Sequence, residues 1–343
     1  MQVLAAPSEL IQGLQKTRDY LHRNGITLIG NPGSMYNKDL QVAKNLIFGN
    51  IDSPFESYFF PSALNLSEKF KFNEVLDAAK EQTSWGSGKL NYLSNHIKLF
   101  ADGAMYSQNM VMRDGYLDNH QGSWLMNLET YENLFKIFWD NGYQIHIHQN
   151  GDAGLDRLLA TLEKNLDDNP RVDHRTTVVH FGYSAKDQLK KMKELGVIVS
   201  ANPYYVTALS DLYSRKGVGY ERSQEMVRLG DAIKEGIKVA LHSDMPMAPA
   251  SPLLLMHSAV NRNNFAGKVA GPNQRINAID ALRAVTINAA YVLRLEKRYG
   301  SIEVGKYANF TVLDSNPLKI EKNEIKNIKI LGTVLKGDLL PIN

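Results

Sequence analysis

The chain of 343 residues contains no cysteine. That absence excludes disulfide bridges, thiolate zinc sites and a cysteine nucleophile, so any metal must be held by nitrogen and oxygen donors. Charge of one sign is not in excess either. The 39 Lys and Arg residues stand against 36 Asp and Glu, spread along the chain, and no basic stripe asks for nucleic acid. No apolar run approaches the roughly 18–20 residues that a membrane-spanning helix needs. The opening Met1-Gln2-Val3-Leu4-Ala5-Ala6-Pro7 lacks the charged and apolar zones of a secretion signal, so a cytoplasmic protein is expected. No G-x-G-x-x-G opens the chain, which weighs against a dinucleotide fold. What is there suits a soluble globular protein of one large or two ordinary domains. Hydrophobic residues make up 43% and charged residues 22%, enough for a sizeable core.

One pattern recurs. A helix closes on a glycine and an apolar strand follows at once. Helices over residues 8–24, 129–141, 184–195 and 222–235 meet Gly25, Gly142, Gly196 and Gly236. The strands behind them are Ile26-Thr27-Leu28-Ile29, residues 144–148, Val197-Ile198-Val199-Ser200 and Ile237-Lys238-Val239-Ala240-Leu241. Glycine takes the left-handed conformation that ends a helix, and the chain then enters a buried strand. Ser8 and Ser184 stand where N-caps are expected. Residues 57–61, 96–100 and 176–180 supply three more strands, the first weakened by Pro61. Strands that alternate with helices or long loops mean a parallel α/β architecture. A (β/α) barrel takes about 250 residues, the span up to Arg262, and a doubly wound open sheet is the rival. From residue 276 a helix gives way to a turn, a strand over 308–314 and a hairpin over 328–338. Three short strands make no stable sheet alone and must pack on something. The expected division is therefore a barrel over 1–298 and a C-terminal β-sandwich segment over 299–343.

Polar residues gather at strand ends. In Gln144-Ile145-His146-Ile147-His148, the two isoleucines face one way and Gln144, His146 and His148 the other. Lys98, His148, His180 and Asp244 each lie at or near the end of a different strand, and in a barrel those ends share one mouth. Each has an ordinary reading: a satisfied core histidine, a loop-capping aspartate, a snorkelling lysine. Together they are costly to bury unpaired, by roughly several kcal/mol. A divalent cation would offset that cost, and two histidines with a carboxylate suit zinc. His242 and His257 are assigned supporting or packing roles. His22, His96, His120 and His174 are read as solvated or structural. Tyr204, Tyr205 and Tyr213 hint at an aromatic-lined pocket, although surface positions serve them equally.

The segments Ile97-Lys98-Leu99-Phe100-Ala101-Asp102-Gly103-Ala104, Ile147-His148-Gln149-Asn150-Gly151-Asp152, Val179-His180 and Ser243-Asp244-Met245-Pro246 resemble the amidohydrolase superfamily. Within it they are similar to the YtcJ-like, amidohydrolase-3 type of metal-dependent hydrolases, which includes N-substituted formamide deformylases. Ser251-Pro252, Ala259-Val260-Asn261-Arg262, residues 284–290 and residues 300–310 extend the likeness in order along nearly the whole chain. The resemblance implies a TIM-like barrel and one or two zinc ions. Lys98 would be carboxylated by carbon dioxide to bridge them, His148 and His180 would be ligands, and Asp244 would be ligand and general base. It sets Lys98, His180 and Asp244 in catalysis, and Asp102, Ser107 and Arg262 at the substrate. It also implies departures. Family members begin with a β-sandwich half and a first barrel strand carrying His-x-His, whereas this chain opens at the helix after that strand. His146 is no substitute, since only His148 falls on a family position. Asn309 and Val179 replace residues that are usually acidic.

Three readings follow. The first is a metal-dependent hydrolase of non-peptide C–N bonds in small amide-type molecules, possible as a homo-oligomer, with no nucleic-acid or membrane partner. The second is a truncated, non-catalytic relative that needs a partner segment for the missing strand, since a barrel short of one strand exposes two edges. The third is a Schiff-base enzyme using Lys98 as nucleophile.

Overall fold

The structure, a computed structural model, describes residues 7–342. The Met1–Pro7 stretch read for a leader therefore lies almost wholly outside the described residues. Eleven strands are described: β1 (Leu28–Ser34), β2 (Glu56–Pro61), β3 (Leu90–Tyr92), β4 (His96–Phe100), β5 (Gln144–Gln149), β6 (Thr177–His180), β7 (Ile198–Ala201), β8 (Val239–Leu241), β9 (Phe310–Leu313), β10 (Ile330–Leu335) and β11 (Asp338–Pro341). The seven expected parallel strands are all present, within a few residues of their expected bounds. The short β3 was not foreseen; three residues carry too little periodicity to read. Gly25, Gly142, Gly196 and Gly236 all have φ between 70° and 77°, as the helix-closing pattern requires. The first helix runs Pro7–Arg23, so Ser8 lies inside it rather than capping it.

The parallel strands do not form one closed barrel. They fall into two sheets, ordered β1-β2-β3 and β4-β5-β6-β7-β8. A single bridge from Ser62 to Lys98 links the two. β8 pairs with β7 alone and β1 with β2 alone, so among the described residues each has one unpaired edge, and both strands line the same cavity. The expected α/β fold with parallel strands is present, divided between two sheets that both line one interior cavity, with β1 and β8 each open along one edge among the described residues.

The sequence pattern explains how the larger sheet packs. Ile97, Leu99, Ile145, Ile147, Val178 and Val199 alternate outward and are fully buried. They meet Leu134, Phe135 and Phe138 of the helix Leu128–Asp140 and Leu155, Leu158 and Leu162 of the helix Asp152–Asp168. Each such side chain contributes about 1.5–3 kcal/mol by leaving water. The alternate positions Lys98, His146, His148, Ser200 and His242 then face inward. No helix among the described residues is long and apolar enough to cross a membrane.

The C-terminal strands make an antiparallel sheet in the order β11-β10-β9. It is one sheet, not a two-layered sandwich. It rests on the N-terminal part of the chain: Thr311 Oγ1 donates to the carbonyl of Gly25 at 2.7 Å, His22 Nε2 meets Thr333 Oγ1 at 3.0 Å, and Lys336 pairs with Glu56 at 2.7 Å. That is the support which three short strands need.

Candidate active site

Parallel pairing sets the site's register. Lys98 lies opposite His146, Phe100 opposite His148, Gln149 opposite His180 and His180 opposite Ala201. One cavity of about 430 Å³ takes in Lys98, His148, His180, His242 and Asp244 together. Its other walls are mainly apolar, among them Leu21, Ile29, Phe48, Phe60, Leu241 and Leu293. The four residues expected to converge from separate strands thus share one chamber.

Two of them occupy unusual backbone conformations. His180 has φ of 80° and Asp244 has φ of 55°, both left-handed and uncommon for residues other than glycine. Such positions persist only where the surroundings over-determine them, and they concentrate at functional sites. Here the turn at each strand end directs the side chain toward the cavity.

His148 directs Nε2 at Asn150 Nδ2, 3.0 Å away, and at the carbonyl of Gly103, 3.5 Å away. The backbone of Asp102 also lies within hydrogen-bonding reach of the ring. His180 directs Nδ1 at His242 Nε2, 3.0 Å away, with Asp244 Oδ2 at 3.8 Å, and its Nε2 has no hydrogen-bond partner among the described residues. The two rings meet edge to face with centroids 4.4 Å apart.

Electrostatics favours neutral bases. Burial, helped by the Lys98 charge, pulls His148 down to about 3 and His242 likewise, and it holds His180 well below the usual imidazole range. Neutral imidazole is the metal-binding form. Lys98 is 3% exposed, its ammonium has no hydrogen-bond or ion-pair partner among the described residues, and Nζ lies 5.6 Å from the centre of the Phe100 ring. Burial pulls it down to about 7 against the opposing pull of Asp244. A neutral amine, the form that adds carbon dioxide, is therefore well populated near neutral pH. Asp244 is raised by its low-polarity surroundings and lowered by Lys98, although its side chain stays 43% exposed at the mouth.

These donors fit a divalent cation in chemistry. Two neutral imidazoles, a carboxylate and a partnerless buried lysine are all nitrogen and oxygen donors, as a cysteine-free chain requires. Among the described residues no three His, Asp or Glu side chains yet close around one point. A carboxylated Lys98 would bring two further oxygens to the set.

The three residues expected at the substrate are placed elsewhere, and none lines the cavity. Asp102 is fully buried and accepts the backbone N–H groups of Asn150, Gly151 and Val111 at 2.7–3.0 Å. Arg262 is fully buried, its guanidinium donating to the carbonyls of Ala270, Val227 and Met226. Ser107 is exposed on a short 3-10 turn and donates to the carbonyl of Ala104. The resemblance sets Asp102 and Arg262 at the substrate, but every hydrogen bond shown for their charged groups goes to backbone. Nor does any of Tyr204, Tyr205 and Tyr213 line the chamber; Tyr205 packs behind His180, with centroids 6.4 Å apart.

Ser200 is the cavity residue the sequence reading missed; His242, given a supporting or packing role there, lines the cavity beside it. His242 stands two positions before Asp244, a spacing that puts both on one face of an extended segment. His96 is structural as expected: it is buried, and its Nδ1 meets His146 Nε2 at 2.9 Å.

The sequence pattern of the Amidohydrolase family matches residues 2–340. YtcJ of Bacillus subtilis is 26% identical over 250 residues, which cover 71% of this chain and 46% of that protein. The N-substituted formamide deformylase of Arthrobacter pascens is 27% identical over 248 residues, covering 71% of this chain and 45% of that enzyme. The chain thus spans less than half the length of these curated relatives. A solved metal-dependent hydrolase from Pyrococcus horikoshii superposes with a TM-score of 0.75 at 22% identity, covering 94% of this chain and 62% of that one; at that identity the likeness concerns the fold alone. Since the family pattern takes in nearly every residue, the chain belongs to the Amidohydrolase family.

Proposed function

We propose that this chain carries the catalytic chamber of a metal-dependent hydrolase acting on non-peptide C–N bonds of small amide-type molecules. The observation that carries this reading is the meeting of Lys98, His148, His180 and Asp244 in one cavity, within a chain of this family. His148, His180 Nε2, Asp244 and a carboxylated Lys98 would hold one or two zinc ions. When bound, such a cation supplies Lewis acidity toward a carbonyl and acidifies water. Asp244 takes the proton of the attacking water and returns it to the departing nitrogen, so the proton count balances. Its raised proton affinity suits both halves of that task. The apolar walls exclude bulk water and strengthen the charges inside. N-substituted formamides, named for one relative, head the list of substrates to try.

The test is to load the protein with zinc in bicarbonate, measure metal by elemental analysis, and assay release of amine from N-substituted formamides. One to two equivalents of zinc with amine release are expected. No zinc uptake, together with a borohydride-trapped adduct on Lys98, would transfer the site to Schiff-base chemistry.

One observation favours a second reading beside the first. The unpaired edges of β8 and β1 border the same cavity, through Ala240 and Leu241 on one side and Ile29 and Asn31 on the other. An extended segment from another chain seated there would join the two sheets. Size measurement with and without metal checks it: a defined complex supports a strand donor, a monodisperse active monomer opposes one.

A further inference from the structure

The cavity holds a polar chain that the proposed hydrolysis does not use. His242 Nε2 lies 3.0 Å from His180 Nδ1, and His242 Nδ1 lies 2.9 Å from Ser200 Oγ. All three line the chamber, and they come from the ends of three adjacent strands or the loop just beyond. A neutral imidazole has one donor and one acceptor nitrogen, so each link in such a chain fixes the next.

A serine hydroxyl can donate or accept, so the chain could run in either direction. One neighbour decides. Asp244 Oδ2 stands 3.8 Å from His180 Nδ1, and an ionised carboxylate only accepts; it favours a hydrogen on that nitrogen. On the other side of the ring, Nε2 has no hydrogen-bond partner among the described residues.

Resting on the reading of this site as a metal-dependent hydrolase, we propose that Ser200 and His242 are positioning residues that hold His180 in the tautomer whose lone pair on Nε2 faces the metal position. His180 Nδ1–H donates to His242 Nε2, and His242 Nδ1–H donates to Ser200 Oγ. No ring changes charge in this arrangement. Its consequence is that the His180 ring is held, through His242, by a hydroxyl on β7, while Asp244 sets the direction of the chain. Partners of this kind orient metal-binding histidines, and losing them typically weakens metal affinity by 10–100-fold.

The experiment uses the whole chain without metal, labelled with 15N at histidine, and reads by NMR which ring nitrogen of His180 carries hydrogen. Zinc affinity is measured in parallel by chelator competition, for the natural protein, Ser200→Ala and Ser200→Thr. The expected result is hydrogen on Nδ1 in the natural protein and in Ser200→Thr, which keeps the hydroxyl. Ser200→Ala leaves His242 Nδ1–H without its acceptor and should bind zinc about tenfold or more weakly. Hydrogen on Nε2 in the natural protein overturns the proposal, and that reading needs no variant to fold. So does a Ser200→Ala protein with unchanged zinc affinity. If the natural protein shows the expected tautomer but binds no zinc, the hydrolase reading fails and the relay stands.

Discussion

Asp102 Oδ1 accepts the backbone N–H of Asn150 at 3.0 Å, and this contact ties the ends of two neighbouring site strands together. Asp102 follows β4, which carries Lys98, and Asn150 follows β5, which ends next to His148. Its other oxygen holds Gly151 and Val111. Asn150 in turn places its amide against His148 Nε2. The carboxylate therefore braces the loops that follow both strands without lining the cavity.

Asp102→Ala leaves three buried N–H groups without an acceptor. At about 1–3 kcal/mol each, a loss of roughly 3 kcal/mol or more in unfolding free energy is expected. Chemical denaturation measures it. Asp102→Asn, which keeps one acceptor oxygen, should lose less, and equal losses in the two variants would contradict the hydrogen-bond account.

Arg262→Met should behave as a scaffold defect. It leaves the carbonyls of Met226 and Ala270 without their side-chain donor, while that of Val227 keeps the Leu229 N–H, and should cost about 2 kcal/mol or more. Lower stability with an unchanged KM in the surviving folded fraction is expected. A raised KM at unchanged stability would restore Arg262 to the substrate.

Asp244→Asn keeps the shape of the side chain and removes the base. Turnover should fall by at least about a hundredfold, the lower bound for general acid–base catalysis, with thermal stability little changed. His148→Ala and His180→Ala should each lower bound metal, read by elemental analysis; unchanged metal would remove that residue from the ligand set.

Lys98 gives the metal-free protein a pH-dependent stability. Its folded value of about 7 lies below the ordinary 10.5. Between those values the unfolded chain binds a proton that the folded chain has released, so stability rises with pH across that window and is flat from this source below it. Urea unfolding in carbon dioxide-free buffer should show the rise. Lys98→Met should lack it and should be the more stable protein below about pH 7.

Much of the fold is local, and so the sequence by itself determined it. Four helix-closing glycines, alternating apolar strands and strand-end polar residues were enough to place seven parallel strands, and with them Lys98, His148, His180 and Asp244 at one mouth, because strand period and parallel register are set by neighbours along the chain. Tertiary structure alone decided the rest. Whether Asp102 and Arg262 meet substrate or backbone depends on loops arriving from residues 111, 150 and 226–270, which no local period encodes. Whether His242 is packing or part of the site depends on how β8 lies against β7 and where His180 points across it. Closure of the sheet is likewise a non-local matter: each strand carries its own pattern, but only their arrangement in space leaves β8 and β1 each open along one edge among the described residues.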